Sequence, residues 1–405
     1  MAHLRALEKE LQEPTTPHFH CIEHGRSIPV QRLEYSGITQ ENAMKTTTLL
    51  MTILLLALCR WQSVNAQQPA EGKGVHQWWN DQTVGAPLNS PTAKNLPLIR
   101  VRGNTFVNAR GDTVLFRGLA ISDPDKIHHQ GHWTKGHFLK VKEMGATIVR
   151  IPVHPVAWRE RTPARYLGLL DQAVEWCTEL GMYIIIDWHT IGNLKMELFQ
   201  DPMYETTLNE TYNFWRIIAR HFKGHNTVAF YELFNEPTLY HGELGSMSWG
   251  EWKKINEDII HLIRAHDGET IPLVAGFDWG YDLTPLLIDP LNVEGIGYVT
   301  HPYPHKRDKP YEPKWEENFG FAASRYPVFA TEFGFTLGKE GMADNGEYGE
   351  AIIAYFDRKG ISWAAWVFDP EWYPRMFESW SSYTLTESGV FFKQALQRGA
   401  ARQRP

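Results

Sequence analysis

Two glutamates occupy similar positions in the sequence, each at the end of a short apolar run. Glu236 lies in Asn235-Glu236-Pro237, and Glu332 lies in Glu332-Phe333-Gly334. A carboxyl group in apolar surroundings is costly unless it is paired or used in chemistry. If the two groups face each other, one protonated and the other ionised, they can cleave a glycosidic bond by acid/base and nucleophilic catalysis.

Further polar and aromatic side chains stand in or directly after other apolar runs. Arg150, His189 and Trp366 each do so, and His301 and Tyr303 share the motif His301-Pro302-Tyr303. Packing alone does not explain why reactive residues recur at one kind of position. Their recurrence predicts a shared site, provided that the fold gathers the ends of these runs.

Eight apolar runs alternate with helical patterns from about residue 98 onward. The runs show little polar alternation, which is typical of strands buried on both faces in a parallel sheet. The predicted strands are 113–119, 147–153, 182–188, 228–234, 272–276, 297–301, 328–333 and 361–368. The clearest helical patterns cover 163–180, 205–222, 249–266 and 346–359.

This alternation predicts an α/β fold, a (β/α)8 TIM barrel, with a short N-terminal β-hairpin around Gly103 and an extension before it. A doubly wound open sheet is the alternative, but no glycine-rich phosphate loop follows the first run. Active sites of TIM barrels lie at the carboxyl ends of the strands. The predicted topology therefore brings Glu236, Glu332 and the other reactive residues to one mouth of the barrel.

The ordered set of motifs resembles glycoside hydrolase family 5, over about residues 98–395. The motifs are Phe116-Arg117-Gly118, Arg150, Asp187-Trp188-His189, Asn235-Glu236-Pro237, His301-Pro302-Tyr303, Glu332-Phe333-Gly334 and Trp366. The resemblance implies a retaining glycosidase with Glu236 as general acid/base and Glu332 as nucleophile. Trp188 should point away from the site because successive side chains of a strand face opposite sides.

The resemblance also implies roles for the surrounding residues. Asn235 would bind the 2-hydroxyl of the substrate, and Arg150 would keep Glu332 ionised. Tyr303 would donate a hydrogen bond to the nucleophile. His189, His301 and Trp366 would line the subsite on the glycone side of the cleaved bond, with the tryptophan as its stacking floor.

These features predict an endo-β-1,4-glucanase, or cellulase, acting on a polysaccharide or oligosaccharide by double displacement. Within the family, a β-mannanase, a xyloglucan-cleaving enzyme and an exo- or endo-β-1,3-glucanase remain alternatives. A non-catalytic carbohydrate-binding barrel is the alternative from another class, although neither carboxylate is missing. A zinc hydrolase would draw on His128, His129, His132, His189 and His301. However, no close histidine pair ends a strand beside a carboxylate, so we expect no metal ion and no cofactor.

Residues 44–66 have the pattern of a secretory signal peptide. Lys45 precedes the uncharged run 49–58, and Val64-Asn65-Ala66 supplies small residues for cleavage. The run is too short to span a bilayer, which takes about 20 residues. A secretory signal peptide belongs at the N-terminus. We therefore expect translation to begin at Met44, with residues 1–43 as a leader that is not part of the protein. The exported chain, secreted or periplasmic, would have an extension at 67–97 and a catalytic domain at 98–405.

Composition narrows the choice of partners. The net charge is −7, so no basic excess is available to bind nucleic acid. We also expect a monomer without a membrane partner after signal cleavage. Removal of residues 1–66 leaves Cys177 as the one cysteine, which excludes an intrachain disulfide. Aromatic residues make up 13% of the chain, a supply suited to sugar stacking. The candidate platforms lie on predicted loops, with packing in the core as the alternative for half of them; they are Trp133, Trp158, Trp279, Tyr281, Trp315 and Trp372.

Overall fold

Eight parallel strands close into a barrel in the computed structural model of the chain. The structure describes residues 95–238, 241–337 and 346–402. The predicted leader at 1–43, the signal peptide at 44–66 and residues 67–94 of the predicted extension lie outside these ranges. Among the described helices, none is long and apolar enough to cross a membrane.

The strands and helices follow one another in the predicted alternation. The strands are β1 (Arg100–Arg102), β2 (Thr105–Val107), β3 (Arg117–Ile121), β4 (Ile148–Val153), β5 (Tyr183–Trp188), β6 (Ile191–Asn193), β7 (Leu198–Phe199), β8 (Val228–Glu232), β9 (Glu236–Pro237), β10 (His241–Gly242), β11 (Gly245–Ser246), β12 (Ile271–Ala275), β13 (Gly297–Val299), β14 (Val328–Ala330) and β15 (Ser362–Phe368). The helices are α1 (Pro124–His129), α2 (Lys135–Met144), α3 (Pro155–Arg161), α4 (Pro163–Leu180), α5 (Leu208–Phe222), α6 (Trp249–Arg264), α7 (Tyr311–Asn318), α8 (Gly346–Lys359) and α9 (Glu387–Arg402).

The barrel confirms the predicted fold class. Its strand order is β12-β13-β14-β15-β3-β4-β5-β8, and every neighbouring pair is parallel. The hairpin around Gly103 is confirmed as the antiparallel pair β1–β2. The predicted first strand began too early, because β3 starts only at Arg117. The predicted sixth and seventh strands ran too far, since β13 ends at Val299 and β14 at Ala330.

Side-chain alternation divides the barrel interior into two layers. On β4, β5 and β8 the inward positions carry an apolar residue first and a charged residue two positions later. Ile148, Ile185 and Phe230 belong to the lower, apolar layer. Arg150, Asp187 and Glu232 form the upper layer, and the strand register places Asp187 opposite Glu232. The charged layer therefore packs directly on a buried hydrophobic layer.

The hairpin closes the lower end of the barrel. Phe106 of β2 packs edge-on against Phe230, with ring centroids 4.9 Å apart, and also contacts Phe116 and Phe329. These rings cover the lower side of the apolar layer.

The outward faces of the strands pack against the helices. Trp188 points outward as predicted: its ring stacks on Phe214 of α5 at 4.0 Å, and its Nε1 donates to Thr211. Cys177 of α4 is a free thiol buried in this outer core.

Candidate active site

Arg150 of β4 lies at the centre of the charged layer and contacts four side chains. Its Nε and Nη2 donate to the two oxygens of Glu232 at 2.8 and 3.0 Å, and its Nη1 donates to Glu332 Oε2 at 2.9 Å. Nη2 also lies 3.0 Å from Asp187 Oδ2 and 2.6 Å from Asn235 Oδ1. Because Arg150 is closed to solvent, these contacts compensate a charge that water cannot reach.

The charges in this layer separate the pKa values of the groups around Arg150. Burial alone would lower the pKa of Arg150, but Asp187, Glu232 and Glu332 raise it well above its usual value. Burial would raise the pKa of Glu232, but Arg150 and a hydrogen bond from His301 lower it to about 2. For Asp187 and Glu332, burial prevails over Arg150, and both pKa values are raised. Glu232 therefore stays ionised and is the main counter-ion of the Arg150 guanidinium.

Glu332, just beyond β14, accepts hydrogen bonds through both of its carboxylate oxygens. Arg150 donates to Oε2, and the Tyr303 hydroxyl donates to Oε1 at 2.7 Å. Burial and the charges of Glu332 and Glu236 raise the pKa of Tyr303 well above its usual value, so the phenol stays a donor. The Glu332 carboxylate is consequently fixed in position and remains only 6% exposed.

Glu236, at the start of β9, is paired with a buried histidine. His301 Nδ1 lies 3.0 Å from Glu236 Oε1, and His301 Nε2 lies 3.0 Å from the hydroxyl of Thr331 and 3.4 Å from Glu232. Burial would lower the pKa of His301, but hydrogen bonds with Glu232 and Glu236 raise it to about 9. The imidazolium thus donates from both nitrogens at neutral pH and links Glu236 to the charged layer.

An aromatic wall borders the other side of the site. The rings of His189 and Trp366 are nearly parallel, 5° apart in plane and 5.4 Å apart at their centroids. Burial lowers the pKa of His189 well below its usual value, so its imidazole is neutral. Its Nδ1 lies 2.6 Å from Asp187 Oδ2. The half-buried Trp366 donates from Nε1 to the Tyr373 carbonyl at 3.1 Å, which fixes the ring against this wall.

A cavity of about 550 Å³ opens at the upper mouth of the barrel. Both candidate catalytic carboxyl groups reach it. The lining residues are Gln200, Glu236, Asp278, Trp279, Tyr303, His305, Lys306, Arg307 and Glu332. One oxygen of each glutamate and one nitrogen of His301 all lie within 4.8 Å of one another.

The structure brings all eight predicted site residues together at this mouth. Direct contacts or ring contacts connect them into one network. Their roles in catalysis stay predictions at this point. The residues are Arg150, His189, Asn235, Glu236, His301, Tyr303, Glu332 and Trp366.

Sequence reasoning did not assign Glu232, Asp187 and Thr331 to the site, although they complete the charged layer. Thr331 donates to Glu232 Oε1 at 2.9 Å and so joins the His301 side to the Arg150 side. A signal for Glu232 was present, because it is the one charged residue inside the apolar run 228–234 and lies two positions after the inward-facing Phe230. Strand periodicity applied to that run would have placed it inside the barrel.

The candidate sugar platforms divide into core residues and cleft residues. Trp133, Trp158, Tyr281 and Trp315 are buried in the hydrophobic core, so their assignment to a sugar cleft was wrong. Trp158 of α3 packs on Tyr166 and Phe214, and Trp315 of α7 packs on Tyr311, Tyr348 and Tyr355. Trp279 and Trp372 remain partly exposed near the mouth.

One cluster among the described residues has the geometry of a metal site, and it consists of Glu236, His301 and Glu332. It fits a cation poorly, because both nitrogens of His301 are engaged in hydrogen bonds and its raised pKa leaves no free lone pair. His128, His129 and His132 take no part in it. The prediction of a metal-independent site remains to be tested with a chelator.

A family model described as cellulase (glycosyl hydrolase family 5) matches residues 107–371. The chain belongs to glycosyl hydrolase family 5, and it therefore falls within a family of glycoside hydrolases.

Solved structures and curated proteins agree with this membership. A beta-glucanase of Saccharophagus degradans is 43% identical, with a TM-score of 0.75, over 80% of this chain and 99% of that one. The same enzyme has also been solved in complex with cellotetraose. Endoglucanase E-5 of Thermobifida fusca is 26% identical over 74% of this chain and 63% of its own length. The chain spans about three fifths of the length of the first curated relatives it matches.

Replacement of Arg150 should destabilise the fold in a pH-dependent way. In Arg150→Met, the buried carboxylates Asp187, Glu232 and Glu332 lose their cation, and the free energy of unfolding at pH 7 should fall by about 3–5 kcal/mol. Without the cation, the folded-state pKa of Glu232 rises from about 2, and those of Asp187 and Glu332, which are already raised, rise further. The loss should therefore shrink as the pH falls and the carboxylates become protonated in both states.

Urea unfolding at pH 7 and pH 4 measures this difference. Arg117→Met is the matched control, because Arg117 is a buried arginine with one carboxylate partner, Asp357, outside the site. Equal losses for Arg150→Met at the two pH values would contradict the electrostatic account.

Proposed function

We propose that the protein is a retaining β-glycosidase in which Glu332 is the nucleophile and Glu236 the general acid/base. The separation of the two carboxyl groups carries this proposal, since their nearest oxygens lie within 4.8 Å. Retaining enzymes place their carboxyl groups about 5–5.5 Å apart, whereas inverting enzymes need about 6.5–9.5 Å to admit a water molecule.

Double displacement follows from the contacts of the two glutamates. Glu332 attacks the anomeric carbon, while Glu236 gives its proton to the departing glycosidic oxygen, and a covalent glycosyl-enzyme forms. Glu236, now ionised, then takes a proton from water, whose oxygen attacks the anomeric carbon and releases Glu332. Tyr303 and Arg150 hold the nucleophile in line during both steps.

Two further contacts support binding of a sugar beside Glu332. The amide nitrogen of Asn235 is buried and has no hydrogen-bond partner among the described residues, while its oxygen accepts from Arg150. That nitrogen can donate to a substrate 2-hydroxyl, an interaction that strengthens in the transition state. The half-buried ring of Trp366 supplies an apolar surface for the same sugar.

A β-1,4-glucan is the substrate that the relatives favour. Several curated relatives are called endoglucanases, and the beta-glucanase of Saccharophagus degradans has been crystallised with cellotetraose. Trp279 and Trp372 lie on different sides of the mouth, where each can stack a sugar of a chain longer than the central subsite. We therefore propose endo-β-1,4-glucanase activity.

A polysaccharide panel tests the reaction and its substrate. Wild-type protein should release oligosaccharides from a soluble β-1,4-glucan faster than from β-mannan or β-1,3-glucan, with retained β-configuration in the first products. Glu332→Gln should lose turnover, and Glu236→Gln should lose about 10²- to 10⁴-fold on the glucan because it removes the acid catalyst.

Product sizing and proton NMR give the readouts, and both variants should unfold as the wild type does. Wild-type turnover in Glu332→Gln, or first products of inverted configuration, would refute the mechanism. Inhibition by EDTA would refute metal independence.

The acidic limb of the pH profile should report the nucleophile. Glu332 must be ionised to attack, and its pKa is raised by burial, so kcat/KM should fall as the pH drops through a value above 4.5, the usual value for a glutamate. The Tyr303 hydrogen bond lowers the pKa of Glu332. Tyr303→Phe should therefore move the acidic limb to higher pH.

Initial rates across pH on one soluble substrate measure this shift. Tyr326→Phe is the control, because Tyr326 packs on Tyr298 away from the mouth. An acidic limb that stays in place or moves to lower pH in Tyr303→Phe would contradict the assignment of Glu332.

We also propose export through the signal peptide at residues 44–66. A gene that begins at Met44 should still give exported protein in a bacterial host, with a mature chain that begins at Gln67. Leu55→Arg should block export because it places a charge in the apolar run 49–58. Mass spectrometry of the exported N-terminus checks the cleavage point, and cytoplasmic retention of the Met44 product would contradict the proposal.

A further inference from the structure

Lys306 is a nearly buried lysine at the candidate catalytic cavity. It follows β13 by a few residues and lines the cavity together with Glu236 and Trp279. Its side chain is only 9% exposed. Burial lowers the pKa of Lys306, against the opposing influence of Glu236 and Asp278. An ammonium group withdrawn from water in this way is costly unless its hydrogen bonds are used.

The loop after β12 holds this ammonium in place. Lys306 Nζ donates to the Asp278 carbonyl at 2.8 Å and lies 3.6 Å from its carboxylate. It also lies 4.9 Å from the centroid of the Trp279 ring. Arg307 donates to the same Asp278 carboxylate at 3.0 Å. The Asp278 carboxylate therefore lies near two cations, and both polar contacts that the Lys306 ammonium makes with described residues go to Asp278.

The backbone around Asp278 is unusual for non-glycine residues. Asp278 and Trp279 have φ values of 58° and 53°, and Gly280 has a φ of 73°. A Cβ at Gly280 would lie 3.1 Å from the ring of His301. The Trp279 amide donates to the Pro237 carbonyl, next to Glu236. Strained backbone of this kind persists where the surrounding structure enforces it, and it is concentrated at functional sites.

The position of Lys306 relative to the acid/base assigns it to one side of the reaction. The leaving sugar must lie beside the group that protonates it, which is Glu236. Strands β8, β12 and β13 are neighbours in the barrel and carry Glu236, Trp279 and Lys306 beyond their ends. Trp366 lies in β15, on the opposite part of the ring. Lys306 thus borders the leaving-group side.

We propose that Lys306 is a specificity-determining residue that donates a hydrogen bond to a hydroxyl of the leaving sugar. An ammonium has three N–H donors, and Asp278 leaves one for this sugar. The proposal rests on the proposed glycosidase function and adds to it the residue that recognises the leaving group. It requires that the leaving group be a sugar with free hydroxyls, so an aryl leaving group should not need Lys306.

Two substrates that share their glycone sugars separate these possibilities. In Lys306→Met, kcat/KM for a cello-oligosaccharide should fall by about tenfold or more, as expected for a lost charged hydrogen bond. For nitrophenyl β-cellotrioside, kcat/KM should stay within about twofold, because its leaving group offers no hydroxyl. Lys306→Gln, which keeps an N–H donor, should lose less on the oligosaccharide than Lys306→Met.

Lys309→Met is the matched control, because Lys309 is an exposed lysine of the same loop, paired with Glu347. It should leave both substrates unaffected, and thermal unfolding should show that all variants fold. Equal losses on both substrates in Lys306→Met, or no loss on either, would overturn the proposal for Lys306 alone. Wild-type inactivity on both substrates would instead overturn the glycosidase function, and the proposal with it.

Discussion

One buried guanidinium sets the electrostatics of the whole mouth of the barrel. Arg150 is closed to solvent and lies within 3.0 Å of three carboxyl groups, those of Asp187, Glu232 and Glu332. A single positive charge cannot fully stabilise three negative ones in a low-dielectric layer. The pKa values therefore diverge: that of Glu232 falls to about 2, and those of Asp187 and Glu332 rise. The residue proposed as nucleophile is held ready to ionise, with its charge only partly compensated.

The barrel makes this arrangement possible because strand periodicity stacks a charged layer on an apolar one. Ile185 and Asp187 are two positions apart on β5, as Phe230 and Glu232 are on β8. The apolar layer and the Phe106 ring below it give the charged layer a low-dielectric base, which strengthens the ion pairs and hydrogen bonds of that layer. A second cation, His301, contacts Glu236 on the opposite side, and Thr331 connects it to Glu232. The two proposed catalytic residues thus belong to one hydrogen-bonded network.

The sequence was sufficient to predict the barrel and the meeting of eight candidate residues at its mouth, whose roles stay predictions, but not the charged layer or the aromatic surface. Alternating runs and helices determine the topology, and the topology gathers strand ends, so Glu236 and Glu332 could be placed together. Glu232 was not assigned to the site because the run 228–234 was interpreted as continuously apolar. Trp158 and Trp315 were misplaced because they were interpreted as loop residues, whereas they lie in the short helices α3 and α7 with their rings buried. Beyond the ends of β13 and β14, the His301 amide donates to the Gly280 carbonyl, and the side chains of His301 and Glu332 contact Glu236 and Arg150.

Two aspartates outside the charged layer fix the loops that border the mouth. Asp369 is fully buried after β15, and its Oδ1 accepts the amides of Glu371 and Trp372, which fixes the loop that presents Trp372 beside Trp366. Asp278 plays the corresponding part after β12 by holding Lys306 and Arg307. Neither aspartate contacts Arg150 in the described structure. Each aspartate therefore fixes one of the loops that present Trp279 and Trp372 at the mouth, and loops on a rigid scaffold are where binding residues are concentrated.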